Sequence, residues 1–176
     1  MMYEIRLHSR GGQGGVTAAK VLAYAAFLDG KYATATPLYG AERRGAPVVS
    51  FIRVDDAPIR VYSQVRMPDL VIVLDASIMD LVDVTAGLKE DGVVFVNSPH
   101  PVEVAGHTTY TVDLTSIALS LNMVIAGNPI LNTPLIGAIA KMGIVSRESA
   151  EKAIAGTFPD ERNVKAAMKA FEELKI

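Results

Sequence analysis

At 176 residues the chain is long enough to form one domain with a real core, and a composition of 50% hydrophobic and 20% charged residues is that of an ordinary globular protein. A formal net charge of −2 exerts no long-range pull on nucleic acid, so no duplex-binding surface is expected. Cysteine is absent, which excludes disulfides and any zinc or iron–sulfur centre held by thiolates of this chain, so electrons in such a system must be carried by another chain.

Met1 to Arg6 lacks the charged start and long apolar core of a signal peptide, and no apolar run approaches the roughly 20 residues needed to cross a bilayer. A cytoplasmic location away from membranes is the expectation. Tyr3 to His8 alternates apolar and polar residues with the period of a strand. Val16, Ala19, Ala23, Ala26 and Phe27 then recur at helical spacing, while Val21, Leu22, Ala25 and Leu28 cover a second face; the spacing predicts a core helix stopped by Gly30.

Tyr32 to Thr36 is a short strand candidate, and Val48 to Val54 is a stronger one. Asp55-Asp56-Ala57-Pro58 predicts a turn into a further strand, Ile59 to Tyr62, and hence a hairpin that makes part of the sheet antiparallel. Leu70 to Leu74 is a continuous apolar run ending in Asp75, as expected of a strand buried on both faces of a parallel sheet. Ser77 can cap the short helix that follows, Gly92 to Val96 forms another buried strand ending in Asn97, and Thr108 to Val112 one more.

The last third reads as helices. Asp113 or Thr115 caps one that runs through Leu121, Pro134 opens a second that Gly143 ends, Ser146 with Glu148 starts a third closed by Gly156, and Val164, Ala167, Met168, Phe171 and Leu174 mark the stripe of a fourth. The expected fold is a single α/β domain over residues 1–176. It is layered and Rossmann-like, with a mixed, mostly parallel sheet flanked by helices and a helical C-terminal segment.

Two stretches stand out as chemistry. Arg10-Gly11-Gly12-Gln13-Gly14-Gly15-Val16-Thr17 sits between the first strand and the first helix, a turn rich in exposed N–H groups and suited to an anion. It is not a P-loop, because Val16-Thr17 follows Gly15 where Lys-Ser/Thr is required. It is not a dinucleotide fingerprint either: Thr17 stands where the third glycine should be, and the second strand ends without an acidic residue for the ribose. Four glycines in five positions nevertheless exceed what a turn requires, and close approach by a phosphate or by another backbone explains them better than a tight turn alone.

The second stretch, Pro37 to Pro47, brackets Glu42-Arg43-Arg44 between Gly40 and Gly45 with Tyr39 alongside, a composition that grips a carboxylate, a phosphate or a partner chain. In open α/β sheets ligands bind beyond the carboxyl ends of the parallel strands, where both stretches, Asp75 and Asn97 would gather. His8, His100 and His107 show no metal-pair spacing and read as structural or surface residues, and no G-x-S-x-G elbow occurs.

Arg10-Gly11-Gly12-Gln13-Gly14-Gly15, Tyr39-Gly40-Ala41-Glu42-Arg43-Arg44-Gly45-Ala46 and Asn132-Thr133-Pro134-Leu135-Ile136-Gly137-Ala138 resemble successive motifs of the gamma subunit of the pyruvate/2-oxoacid:ferredoxin oxidoreductases, in matching order over nearly the whole chain. One departure is Ala46, where family members often carry a second glycine after the arginines. The resemblance implies a multi-subunit enzyme that oxidatively decarboxylates a 2-oxoacid, reduces ferredoxin and captures the acyl group on coenzyme A. It implies thiamine diphosphate between alpha and beta subunits, iron–sulfur clusters on beta and delta, and a gamma chain inactive alone.

Coenzyme A phosphates are then expected at Arg10, Gly11, Gly12, Gln13, Gly14, Gly15 and Thr17, with Tyr39, Arg43 and Arg44 completing a shared site; the turn serves equally well as a subunit contact. A ligand-free structural subunit and a stand-alone nucleotide-binding dehydrogenase are the alternatives. The choice of 2-oxoacid is expected to be set on other chains.

Overall fold

The computed structural model describes residues 1–38 and 45–176. Strands β1 (Tyr3–Arg10), β2 (Tyr32–Leu38), β3 (Pro47–Asp55), β4 (Leu70–Val73), β5 (Val93–Asn97) and β6 (Thr108–Val112) form one six-stranded sheet in the order β2-β3-β1-β4-β5-β6. β1, β4, β5 and β6 pair in parallel, and β3 runs antiparallel to both β1 and β2. β3 therefore opposes the other strands, and the sheet is mixed and mostly parallel as expected.

The antiparallel element differs from the expected one. Ile59 to Tyr62 forms no strand, because β3 already has β1 on one edge and β2 on the other and has no free edge to offer. The antiparallel partner of β3 is instead the strand that precedes it, through the register Tyr32↔Asp55 to Leu38↔Val49.

Helix α1 (Gly15–Leu28) crosses one face of the sheet and packs on β1, β2 and β3. Its buried residues, including Ala18, Val21, Leu22 and Ala25, share one core with Ile5 and Leu7 of β1 and Ile72 of β4. Tyr24, Phe27 and Leu28 stand exposed, Phe27 at 66%, so the helix is not buried on most sides as expected, although its free side is itself largely apolar. The same layer holds α2 (Leu114–Ser120), α3 (Asn132–Lys141), α4 (Arg147–Thr157) and α5 (Arg162–Glu173).

Asp113 caps α2 through Ser116 N–H, and Ser146 caps α4 through Ser149 N–H. Helix α3 starts two residues before Pro134, which still lies in the first turn, where a missing N–H leaves no bond unmade. Gly137 lets α3 and α5 touch: a Cβ there would stand 1.7 Å from the Ala167 carbonyl oxygen. Between α2 and α3 lies a small hairpin that the sequence reading missed, β7 (Val124–Ile125) with β8 (Asn128–Pro129). Its turn residues Ala126 and Gly127 both have positive φ, the sign pattern of a type I′ turn.

The opposite face is covered without α-helices. The crossover from β4 to β5 passes through a 3₁₀ turn, Ala76–Asp80, and lays Ile78, Val84 and Leu88 on Val71, Val73, Val94 and Val96. Asp75, not Ser77, is the cap of that turn, accepting from Ser77 N–H at 3.0 Å. Arg6 holds the crossover against β1 by donating to the carbonyls of Val84 and Ala86 at 2.8 and 2.7 Å. α1 leaves β1 toward β2 while the 3₁₀ crossover leaves β4 toward β5, so the chain direction diverges between β1 and β4, the topological switch point of a doubly wound sheet.

Beside Arg6 on that face, His8 is 7% exposed and its Nε2 has no hydrogen-bond partner among the described residues. Burial, reinforced by the nearby Arg6 charge, lowers its pKa from 6.5 to about 4. The unfolded chain therefore binds a proton near pH 6.5 that the folded chain refuses until about 4, and stability falls as the pH drops through that window. Between pH 7 and 4 the wild type is expected to lose up to about 3 kcal/mol of unfolding free energy relative to His8→Leu, measured in urea. A pH-independent difference would show that His8 is not buried as a neutral ring.

Candidate functional site

β1 delivers the chain to the carboxyl edge of the sheet, and the turn that follows is shaped by two glycines at positive φ, Gly12 at 93° and Gly14 at 86°. Gly14 is the N-cap of α1 and supplies no side-chain cap. Gly15 then lies directly against the strand, where a Cβ would stand 2.2 Å from Ser9 Oγ and 2.7 Å from Ser9 Cβ. The helix start is drawn onto β1, and its first-turn amides are left facing outward. Among the described residues, no acceptor takes the N–H groups of Gly12, Gly14, Gly15, Val16 or Thr17. Those donors, at the positive end of the helix dipole, are suited to an anion.

The residues picked out in the sequence divide between scaffold and cavity. Arg10 is engaged in holding the site together: Nε donates to Asp75 Oδ2 at 3.1 Å, Nη1 to the Gly45 carbonyl at 3.0 Å and Nη2 to Ser77 Oγ at 2.8 Å. It thereby straddles the switch point between β1 and β4. Gln13 folds back within the turn, its Oε1 accepting Arg10 N–H at 2.7 Å and its carbonyl accepting Leu131 N–H at 3.3 Å.

Gly11 joins the two sequence stretches. Its N–H donates to the Ala46 carbonyl at 3.0 Å and its carbonyl accepts Gly45 N–H at 3.3 Å, so the extra methyl of Ala46 does not prevent this contact. Tyr39, Arg43 and Arg44 lie outside the described residues. Asn97 does not join the site: it is buried, donating to the Leu74 carbonyl and Thr115 Oγ1 and accepting Leu114 N–H, which staples β4 and β5 to α2.

A cavity of about 550 Å³ opens where the turn, the first turn of α1, the β7–β8 hairpin and the start of α5 converge. Gly12, Gly14, Gly15 and Thr17 form its polar floor, while Val48, Met123, Ile130 and Phe158 contribute apolar walls. Arg162 lines it too, but its Nη2 meets Asp160 at 2.6 Å and its Nη1 reaches the Leu121 and Asn122 carbonyls. Asp160, by hydrogen bond and charge, raises the Arg162 pKa, so the guanidinium is locally neutralised.

Asn132 is the residue that sequence reasoning overlooked. It is 5% exposed, lines the cavity, and lies beneath Gly14 so closely that a Cβ there would be 3.2 Å from Asn132 Cβ. Its Oδ1 accepts Thr133 N–H at 2.7 Å, an assignment that orients Nδ2 as the remaining donor. No described residue accepts from that Nδ2. The signal was present in the Asn132-Thr133-Pro134 motif, and Phe158 belongs to a tail that resembles the family's ending, whereas nothing in the sequence singled out Arg162.

A doubly wound sheet with an uncapped helix start beside a largely apolar cavity defines a Rossmann-like α/β domain. Residues 4–173 match the family model described as pyruvate ferredoxin/flavodoxin oxidoreductase. The chain is 53% identical to the pyruvate/ketoisovalerate oxidoreductases common subunit gamma of Thermococcus litoralis, over 99% of this chain and 98% of that one. It is 50% identical to pyruvate synthase subunit PorC of Methanothermobacter thermautotrophicus, over 99% and 97%.

The crystal structure of the pyruvate oxidoreductase subunit PORC from Thermotoga maritima superposes with a TM-score of 0.83 at 37% identity, covering 99% of this chain and 97% of that one. The chain belongs to the pyruvate ferredoxin/flavodoxin oxidoreductase family. Its likeness spans nearly the full length of the gamma, or PorC, subunit of those multi-subunit oxidoreductases.

The contact at Gly15 gives a direct check on this geometry. Gly15→Ala is expected to destabilise the chain by about 1–3 kcal/mol in urea unfolding, through overpacking against Ser9. Adding Ser9→Gly should recover much of that loss. A neutral Gly15→Ala would mean that the helix does not approach the strand this closely.

Proposed function

We propose that this chain is the gamma subunit of a pyruvate, or closely related 2-oxoacid, oxidoreductase coupled to ferredoxin, and that its Gly11–Thr17 turn holds the phosphates of coenzyme A. The single observation that carries the ligand assignment is the set of donors converging on one cavity. These are the amides of Gly12 and Gly14 to Thr17, which find no acceptor among the described residues, with Asn132, a buried residue whose Nδ2 has no acceptor there either, in the same cavity lining. Such donors favour a phosphate group without a free cation, and the apolar walls suit the aliphatic arm attached to it. When bound, coenzyme A supplies the thiol that accepts the acyl group. The residues of this chain fix its anionic end, exclude water along Val48, Met123 and Ile130, and leave the thiol end to partner subunits.

Alpha, beta and delta chains are the partners in this reading, with ferredoxin acting through the complex, and a cytoplasmic location goes with it. Pyruvate is the default substrate because the relatives named for it span the whole chain. Arg43 and Arg44 complete the site from the second loop.

Calorimetric titration of the assembled complex with coenzyme A and with pantetheine, which lacks the phosphates, tests the assignment. Asn132→Ala and the Arg43→Ala/Arg44→Ala pair are each expected to weaken coenzyme A by about 10-fold or more, as for lost hydrogen bonds to a charged group, and to leave pantetheine unchanged. Equal effects on both ligands, or none on either, would assign the turn to subunit contact instead.

A further inference from the structure

Residues 57–68, Ala-Pro-Ile-Arg-Val-Tyr-Ser-Gln-Val-Arg-Met-Pro, have the composition of a strand and the structure of none. Ile59, Val61, Tyr62 and Val65 are good strand formers, yet β3 has both edges occupied. Among the described residues, residues 57–67 make no backbone–backbone hydrogen bond. Arg60 to Gln64 are exposed in succession; Tyr62 is 76% exposed, and Met67, a few residues on, 61%.

The segment is nevertheless fixed at its far end. Val65 is buried, the Pro68 carbonyl accepts Lys89 N–H at 3.1 Å, and the Arg66 carbonyl lies so close to Gly87 that a Cβ there would be 2.1 Å away. The adjoining crossover adds exposed Leu81 and Val82 on this helix-free side of the sheet. So much exposed apolar surface marks an interaction site, and backbone groups without protein partners leave the segment free to pair with another chain.

The charge pattern indicates what receives it. Residues 57–68 contain two arginines and neither lysine nor any acid, in a chain of net charge −2. Arg60 and Arg66 form no ion pair among the described residues. Tyrosine, methionine and arginine are the residues enriched in the cores of protein interfaces, and lysine and the acids are depleted there.

We propose that residues 57–68 form a docking arm received by another subunit of the same oxidoreductase complex. The receiving surface is an apolar groove with an acidic rim, and its backbone pairs with the arm at Ile59 to Tyr62. This rests on the gamma-subunit reading but not on where coenzyme A binds.

Hydrogen exchange of the full chain, alone and in the assembled complex, tests it. Amides of residues 59–67 are expected to exchange freely in the isolated chain and to slow by about 10-fold or more in the complex. Arg60→Glu/Arg66→Glu and Tyr62→Ala/Met67→Ala should each weaken assembly by about 10-fold or more, measured by native mass spectrometry against subunit concentration, while Lys175→Glu leaves it unchanged. Both pairs alter exposed side chains, so an unchanged circular-dichroism melt confirms that the fold is intact.

Protection in the complex together with weakened assembly supports the arm. Unprotected amides in an assembled complex overturn it, as does protection that appears in the isolated chain with rising concentration, which would assign the arm to a second copy. A wild-type chain that joins no such complex removes the gamma-subunit reading itself.

Discussion

No side chain fits between α1 and β1 at Gly15, and much of the site follows from that. A Cβ would meet Ser9 Oγ at 2.2 Å, so hydrogen alone at this position lets the helix begin directly on the strand end. The polypeptide must then reverse within the turn, which Gly12 and Gly14 accomplish at positive φ. With glycine at the N-cap, the first-turn amides keep no acceptor among the described residues, and their residues line the cavity. The same helix reaches the far side of the domain, where Asp29 at its C-terminal end accepts Ser146 N–H at 2.7 Å and ties α1 to the start of α4.

Positive potential at this site originates in the backbone more than in side chains. Among the described residues, Arg10 beside the turn is tied to Asp75, Ser77 and Gly45, and Arg162 is tied to Asp160. Each guanidinium positions neighbouring segments. Arg10 holds the end of β1 to the end of β4, and Arg162 holds the start of α5 to the α2 end at Leu121 and Asn122. Among the described residues, the anion-binding capacity left over belongs to helix N–H groups and to Asn132, a neutral donor packed against Gly14.

How much of this was legible in the sequence depends on the range of the interaction involved. The buried parallel strands, the α1 pattern, the Asp113 and Ser146 caps and the glycine turn are local signals and stood out in the chain. The pairing partner of β3 was not local. Ile59 to Tyr62 has every short-range property of a strand, and what excludes it is that β2 and β1 had already taken both edges. β7 and β8 are two residues each, too short for any periodicity to register. Arg10 was read as a ligand-facing cation because its partners Asp75 and Ser77 lie 65 and 67 residues away. Asn132 was visible as part of a family-like motif, but its donor is recognisable only once α3 is seen beneath Gly14.

A cryo-electron microscopy structure of the assembled complex with coenzyme A bound measures directly whether the first turn of α1 receives a phosphate. Density for the pyrophosphate is expected in the cavity between Gly12, Thr17 and Asn132, with oxygens about 2.7–3.2 Å from the α1 amides and Asn132 Nδ2. Coenzyme A bound elsewhere, with this cavity filled by side chains of another subunit, would contradict it.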